Sequence, residues 1–345
     1  MIRIELGVDD LANTRFGISP LAETVHSLRA LVDPSYHTLH LPWLRAVRDH
    51  LDADDSKLLQ SLVGPSRIPP DFRGIPSQAL PDFLTPRPTR FIPRFEDELN
   101  RVRKTAPETV RRDLLATHAP DPVPESLRPG TRSDKRVTLA LLSAICDALD
   151  RYWECAMAPH WPQMLLVLEA DTTYRAGRLA TGGARLLFSD IHPNVEWRDG
   201  VLSITEMVGR HTVAAAGRGL LLTPSIFANK PVPPMDSTEP PSLAYPSRGV
   251  ATLWAPPPQT DATALVDLLG RTRALLLQML DEPLPTVEIA RRLKVTPSAV
   301  SQHLQVLHAT GLLTRARDRR HVLYRRTPTG DQLTASALGA PRLTG

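Results

Sequence analysis

Proline most restricts how this chain folds, because the sequence carries 34 prolines and many of them are clustered. A proline fixes φ and lacks a backbone N–H, so a cluster neither continues a helix nor lies in a central strand. Clusters occur in residues 230–246 and 256–258. We interpret residues 256–261 as a linker, which predicts an N-terminal domain of residues 1–255 and a C-terminal domain of residues 262–338.

The composition is typical of a globular protein. Hydrophobic residues make up 42% of the chain and charged residues 23%, which argues against wholesale disorder. No apolar run approaches the roughly 18 residues of a transmembrane helix. Two cysteines give no disulfide framework, and the first residues mix charged and apolar side chains unlike a signal peptide. We therefore expect a cytoplasmic protein with no membrane partner.

The N-terminal domain has the patterns of a mixed α+β fold. Apolar residues recur at helical spacing in residues 20–31 and 136–168. Short apolar runs predict strands at residues 185–188, 201–204, 219–223 and 250–254. Asp199 and Gly200 predict a hairpin turn. His37 and His40 form a His-x-x-His pair that no Cys or tight acidic cluster completes, which indicates exposed loop histidines and not a zinc site.

Positive charge is concentrated near the C-terminus. Residues 262–345 hold 12 Arg or Lys against 6 Asp or Glu, whereas residues 1–261 hold 29 against 31. From Arg291 to Arg326 the basic residues number nine against one acid, Asp318. A basic footprint confined to one small region is typical of a module that binds nucleic-acid phosphates.

Three short helices are predicted at the start of the C-terminal domain. Their ranges are residues 261–270, 271–280 and 286–293, each with apolar residues on one face. Thr286 has the side chain of an N-cap for the third helix. The residues of this helix expected to face inward are Val287, Ile289, Ala290 and Leu293.

The fourth helix is the most informative one. Thr296 is its predicted N-cap and Pro297 its first residue, where the missing N–H costs nothing. The apolar stripe consists of Val300, Leu304 and Leu307. The outer face consists of Ser298, Ser301, Gln302 and Gln305, which are polar and uncharged. Such short donors and acceptors suit base edges in the major groove, which predicts the reading helix of a helix-turn-helix.

Two arginine-rich strands follow, at residues 312–317 and 321–326, and predict a β-hairpin wing with a basic tip. Arginines in a wing reach phosphates or the minor groove beside the reading helix. Double-stranded DNA is therefore the predicted partner, and no catalytic or metal-binding residue is predicted. The candidate DNA-binding residues are Thr296, Ser298, Ser301, Gln302, His303, Gln305, Arg291, Arg292, Arg315, Arg317, Arg319 and Arg320.

At these residues the sequence resembles the ArsR family of winged-helix repressors. The resemblance is carried by residues 273–276, 288–293, 297–307 and 311–313, and by the arginine-rich wing that ends at Tyr324. It implies a transcriptional repressor that binds an imperfect palindrome as a homodimer, with the first and last helices of the winged domain in the dimer contact. MarR-like winged helices are the nearest alternative and imply the same mechanism.

The sequence departs from this family at both ends of the resemblance. Residues 284–293 and the tail after Tyr324 contain no Cys or His where metal-sensing members place ligands, so no cofactor is expected. Residues 1–255 resemble an extension seen in actinobacterial-type members, and we expect them to sense a small organic ligand or to mediate assembly. These residues lack the common catalytic motifs, which argues against an enzyme. An enzyme with an appended DNA-binding module is therefore the less favoured alternative.

Chelation of divalent metal is expected to leave DNA affinity unchanged, because the positions that hold the metal in metal-sensing relatives carry no Cys or His. The measurement is a fluorescence-anisotropy titration of duplex DNA with and without a chelator, followed by addition of Zn²⁺. A large shift on chelation would reveal a metal site that these positions do not account for.

Overall fold

The structure is a computed structural model that describes residues 1–67, 78–207, 209–233, 241–254, 262–318 and 321–338. The chain divides into two compact units, Met1–Ala255 and Pro256–Gly345. Both contain helices and sheets, and the predicted α+β class with a C-terminal winged helix-turn-helix is confirmed. The predicted linker at residues 256–261 lies outside the described residues.

Helices form much of the N-terminal unit. They are α1 (Val8–Ala12), α2 (Pro20–Val32), α3 (Leu41–Arg48), α4 (Ala53–Ser61), α5 (Phe95–Val102), α6 (Pro107–His118), α7 (Lys135–Tyr152) and α8 (Trp161–Phe188). A π-helical turn, Trp153–Met157, continues α7, and α8 begins beyond Pro159. In α8 the backbone breaks at Gly183, where φ is 61°. Within the described ranges, none of the helices is both long enough and apolar enough to span a bilayer.

Two sheets complete this unit. Their strands are β1 (Ile2–Glu5), β2 (Arg15–Phe16), β3 (Val195–Arg198), β4 (Val201–Ile204), β5 (His211–Ala214), β6 (Leu221–Ser225) and β7 (Ser242–Pro246). The first sheet has the order β3-β4-β1-β5, with β1 antiparallel to β4 and parallel to β5. The second has the order β2-β6-β7 and is parallel throughout.

The hairpin between β3 and β4 is confirmed. Asp199 and Gly200 have φ values of 49° and 80°, as a two-residue turn between twisted strands requires. Two other strand predictions are wrong, because residues 185–188 belong to α8 and Val250–Thr252 forms a 3₁₀ helix. A short apolar run does not distinguish a buried strand from a buried helical turn.

The N-terminal unit has two hydrophobic cores. The larger one lies among the helices and includes Leu28 of α2, Trp43 of α3 and Ile145 of α7. The smaller one joins both sheets to the end of α8, where Phe188 packs with the β1 and β7 side chains. Residues from opposite ends of the unit's sequence therefore share one core.

His37 and His40 are buried, so the prediction of exposed loop histidines is wrong. His40 Nδ1 accepts a hydrogen bond of 3.0 Å from Trp254 Nε1, and its ring centroid lies 4.5 Å from that of Phe227. Burial lowers the pKa of both histidines to about 4, so they are neutral. The aromatic residues that bury them come from distant parts of the sequence.

The C-terminal unit is a small winged helix. Its elements are α9 (Ala262–Leu269), α10 (Arg271–Met279), β8 (Leu284–Pro285), α11 (Thr286–Leu293), α12 (Pro297–Ala309), β9 (Leu313–Asp318), β10 (His321–Arg326) and α13 (Pro328–Leu338). The strands form an antiparallel sheet of order β8-β10-β9. Leu276, Ile289 and Leu304 meet Leu313 and Tyr324 in its core.

Two details of α11 differ from the prediction. Pro285 is the N-cap residue and Thr286 is the first helical residue, so Thr286 provides no side-chain cap. Val287 is 59% exposed, whereas Ile289 and Ala290 are buried. At 100° per residue, Val287 lies about 200° around the helix from Ile289 and therefore points away from the core.

Substitution of Leu142 by Ala is expected to lower the free energy of unfolding of the N-terminal unit by about 2–5 kcal/mol, because a buried side chain leaves a cavity. Leu142 is 1% exposed and lies on α7. Urea denaturation followed by tryptophan fluorescence measures this unit, since all five tryptophans precede residue 255.

The matched control is Leu139→Ala on the same helix, because Leu139 is 45% exposed. Its effect should stay within about 0.5 kcal/mol. Equal losses for the two variants would contradict the described orientation of α7.

Candidate functional site

A cap and an apolar stripe fix the orientation of α12. Thr296 is the N-cap as predicted, and its Oγ1 accepts a hydrogen bond of 3.3 Å from the Ala299 backbone N–H. Val300, Leu304 and Leu307 are buried in the core of the unit. Because these residues occupy one side of the helix, the opposite side faces away from the protein.

The turn before α12 is tight. Lys294 follows α11 in the left-handed region, with φ of 54° and ψ of 43°. The Val295 backbone N–H then donates a hydrogen bond of 3.1 Å to the Ala290 carbonyl, which closes the end of α11. Helix, short turn and helix thus occur in the predicted order, with α12 as the second helix.

The predicted reading face lies on the side of α12 opposite the core. Ser298, Gln302 and Gln305 are exposed, while Ser301 and His303 are half-buried. The four Ser and Gln positions have i, i+3, i+4 and i+7 spacing, which places them on one face. Within the described parts of the chain their side chains make no hydrogen bonds. Their donors and acceptors therefore point outward without an internal partner.

The base of the β-hairpin wing packs on the core of the unit, and its arginines lie farther along the two strands. Arg315 in β9 pairs with Tyr324 in β10, and Arg317 pairs with Val322. Leu313 and Tyr324 are buried on the face that packs on the helices. Arg315 lies two residues after Leu313 and thus on the same face, but its side chain is exposed. Arg319 and Arg320, predicted at the tip, lie outside the described residues.

Two of the candidate DNA-binding arginines, Arg291 and Arg292, form ion pairs with Glu288. Glu288 accepts hydrogen bonds of 2.8 Å from Arg291 Nη2 and from Arg292 Nε. These bonds lower the pKa of Glu288 to about 2, so the carboxylate stays ionised at neutral pH. Glu288 lies just before the interval from Arg291 to Arg326, in which the sequence shows nine basic residues and one acid. Its i, i+3 and i, i+4 spacing to the two arginines is the sequence signal that would have identified it.

Arg326, another residue of the basic region, stabilises the fold. Its Nε donates a hydrogen bond of 2.7 Å to Asp331 Oδ1, and its Nη1 donates to the carbonyls of Leu277 and Gln278. It thereby binds two carbonyl groups in the last turn of α10, the part of a helix where side-chain donors commonly supplement the backbone hydrogen bonds. The positive charge presented to a ligand is therefore smaller than the count of basic residues indicates.

The order of these elements agrees with a known family. Residues 266–321 match the model described as MarR family. The match begins in α9 and extends through the helix-turn-helix to the start of β10. The C-terminal unit thus contains a winged helix-turn-helix regulator domain, which supports a DNA-binding transcriptional regulator. Searches of curated proteins and of solved structures found no match.

The N-terminal unit contains a cavity of about 370 Å³. Its lining combines apolar side chains, such as Leu80 and Val232, with the cationic side chains of Arg29 and Lys230. A volume of this size accommodates a small organic molecule. Sequence reasoning did not find this cavity, because its walls come from segments far apart in the chain.

Two buried carboxyl groups in the same unit each accept hydrogen bonds through one oxygen atom. Glu23 Oε2 accepts a hydrogen bond of 2.8 Å from the Ile226 backbone N–H, and Glu98 Oε2 accepts one of 2.8 Å from Ser19 Oγ. Burial raises the pKa of each carboxyl group to about 7. In the parts of the chain that the structure describes, His, Cys, Asp and Glu nowhere form a group of three suited to a metal ion.

Substitution of Glu288 by Gln is expected to raise affinity for any duplex and to make its salt dependence steeper. The change releases two guanidinium groups on the helix that precedes the reading helix, which in this motif crosses the DNA backbone. Each new phosphate contact makes the negative slope of log K against log salt steeper by about 0.9. Anisotropy titrations at several salt concentrations measure the slope.

Glu282→Gln is the matched control. Glu282 is an exposed acid that precedes α11, and its substitution removes the same charge as Glu288→Gln. If both variants change the slope equally, the ion pairs of Glu288 do not control the availability of the arginines.

Proposed function

We propose that this protein is a one-component transcriptional repressor whose reading helix is α12. The observation that carries the proposal is the outer face of α12, where Ser298, Ser301, Gln302 and Gln305 are uncharged and lack internal hydrogen bonds. Such side chains contact base edges at close range, and a Gln amide pairs bidentately with adenine. The DNA-reading function thus rests on four neighbouring side chains.

Reading and anchoring are divided between two elements in this proposal. Gln302 and its neighbours on α12 discriminate between bases, whereas Arg315 and Arg317 of the wing bind phosphates or the minor groove. We assign Arg319 and Arg320 to the same anchoring role from their sequence positions. Thr296 lies at the start of the reading helix, where phosphate contacts position it. His303 lies in the middle of this helix beside Gln302, and we assign it to the same DNA-facing surface. Arg291 and Arg292 anchor the complex only when Glu288 releases them.

We further propose that the protein binds palindromic DNA as a homodimer. The resemblance to ArsR repressors supports this, and Leu268 of α9 and Leu275 of α10 are exposed apolar side chains of the kind that a subunit contact buries. ArsR is the family that we favour from the residues, although the matching model is of the MarR family. Both families imply the same docking of a reading helix in the major groove.

The N-terminal unit is proposed to sense a small non-metal ligand in the cytoplasm. Its cavity supports this role, because small-molecule sites are concave, mostly apolar and carry few polar groups. A ligand that binds the two DNA-affinity states unequally shifts the equilibrium between them. Ligand binding would then alter repression without any contact between the ligand and DNA.

An enzyme with an appended DNA-binding module is the second candidate. Lys230, which lines the cavity, favours it, because burial and the nearby charge of Arg29 lower the pKa of this lysine to about 8. A lysine with a depressed pKa is a better nucleophile. The test extracts the compounds that co-purify with the protein, incubates them with fresh protein and measures them by mass spectrometry. A sensor leaves these compounds unchanged, whereas an enzyme converts them.

Substitution of Gln302 by Ala is expected to relax sequence preference, and substitution of Arg315 by Ala to weaken binding to all sequences equally. A base-edge contact contributes about 1–3 kcal/mol of discrimination, whereas a phosphate contact contributes none. Loss of Arg315 should also lower the salt slope by about one unit. The measurement compares a duplex selected from a random pool with its scrambled version at two salt concentrations.

Gln278→Ala provides the control, because this Gln lies on α10 of the same unit and outside the proposed interface. If Gln302→Ala weakened binding to both duplexes equally while Arg315→Ala lost only selected-site binding, the two roles would be reversed. If neither variant changed binding, α12 and the wing would not form the DNA-binding surface.

A further inference from the structure

The N-terminal cavity contains buried positive charge. Arg29 of α2 and Lys230 line it, and each is only 8% exposed. A buried charge is costly unless an opposite charge or hydrogen bonds compensate for it. The buried guanidinium of Arg29 at this cavity therefore requires an explanation.

The guanidinium of Arg29 is only partly satisfied by the protein. Its Nε donates a hydrogen bond of 2.9 Å to the Gln78 carbonyl. Its two Nη atoms make no hydrogen bond to any residue in the described ranges, and no carboxylate there forms an ion pair with it. These nitrogen atoms form the fork that binds a carboxylate with two parallel hydrogen bonds.

The surroundings of Arg29 are also short of negative charge. Among the described lining residues Asp82 is the one acid, against the three cations Arg29, Arg67 and Lys230. Burial, and after it the charge of Arg29, lowers the pKa of His26 well below its usual value, so this histidine is neutral. His211 also lines the cavity, and its buried Nε2 has no hydrogen-bond partner within the described ranges.

The remaining lining selects the rest of the ligand. Ile2, Leu80, Met207 and Val232 present apolar surface to the cavity. Such surface favours an uncharged hydrocarbon body, whose burial contributes about 25 cal/mol per Å². One end of the cavity's ligand is thus expected to be anionic and the other apolar.

We propose that the cavity binds an organic acid, with its carboxylate on the Arg29 guanidinium and its apolar body against the hydrocarbon lining. The regulatory meaning of this site rests on the proposed sensing function. Binding itself does not, because the N-terminal unit contains all of the residues that the proposal uses.

Calorimetric titration of the full chain in the absence of DNA tests the proposal. The probes are phenylacetate and hexanoate, each compared with its neutral primary amide, which has nearly the same shape. Each acid is expected to bind at least about tenfold more tightly than its amide, a difference of about 1.4 kcal/mol. Equal affinity for acid and amide, or no binding by either acid, would overturn the proposal.

Arg29→Gln locates the site. The variant should bind the acids at least about tenfold more weakly and should bind the amides as the wild type does. The control is Arg48→Gln on α3, which removes the same charge from an exposed position and should change neither affinity. A folded Arg29→Gln variant that binds the acids like the wild type contradicts the assignment.

If the Arg29→Gln variant shows no cooperative thermal transition and is therefore unfolded, Lys230→Gln tests whether the acids bind in this cavity. It should also weaken acid binding selectively, because Lys230 contributes positive charge to the same cavity, and unaltered acid binding would overturn the proposal. Since no DNA is present, failure of these titrations leaves the DNA-reading proposal intact. Failure of the DNA titrations likewise leaves the acid-binding site untouched.

Discussion

Burial of one apolar stripe is the interaction on which the winged helix depends. Val300, Leu304 and Leu307 attach α12 to a core that also includes Leu313 and Tyr324 of the wing. Because the same core holds the reading helix and the base of the hairpin, their outer surfaces are fixed relative to each other. Protein interiors are close-packed, so this arrangement tolerates little movement. The placement of the polar residues that we propose to contact DNA is thus a consequence of apolar packing.

Charge is used in two different ways around this core. Arg326 neutralises Asp331 and binds carbonyls at the end of α10, and Glu288 binds Arg291 and Arg292. These groups stabilise local structure and moderate the positive field. The exposed Arg315 has no such internal partner among the described residues and extends the field beyond the core. Net charge in a sequence interval therefore overstates the positive charge that is available to a partner.

The N-terminal unit differs, since several of its polar groups are buried. Glu23 and Glu98 receive backbone and hydroxyl hydrogen bonds, and His40 receives one from Trp254. Each of these contacts joins residues far apart in sequence, so no local sequence pattern predicts it. Arg29 lines the cavity, and its Nη atoms have no hydrogen-bond acceptor among the described residues.

The sequence by itself determined the local structure of the C-terminal unit. Thr296, Pro297 and the stripe of Val300, Leu304 and Leu307 specify α12, because caps and helical periodicity act over a few residues. The same reasoning gave the hairpin at Asp199 and Gly200. It failed at residues 185–188 and 250–254, where short apolar runs fit either a strand or a helix. Only the tertiary structure decided the burial of His37 and His40, the cation-lined cavity and the pairing of Arg326 with the end of α10. These features depend on which distant segments pack together, and local patterns carry no information about that packing.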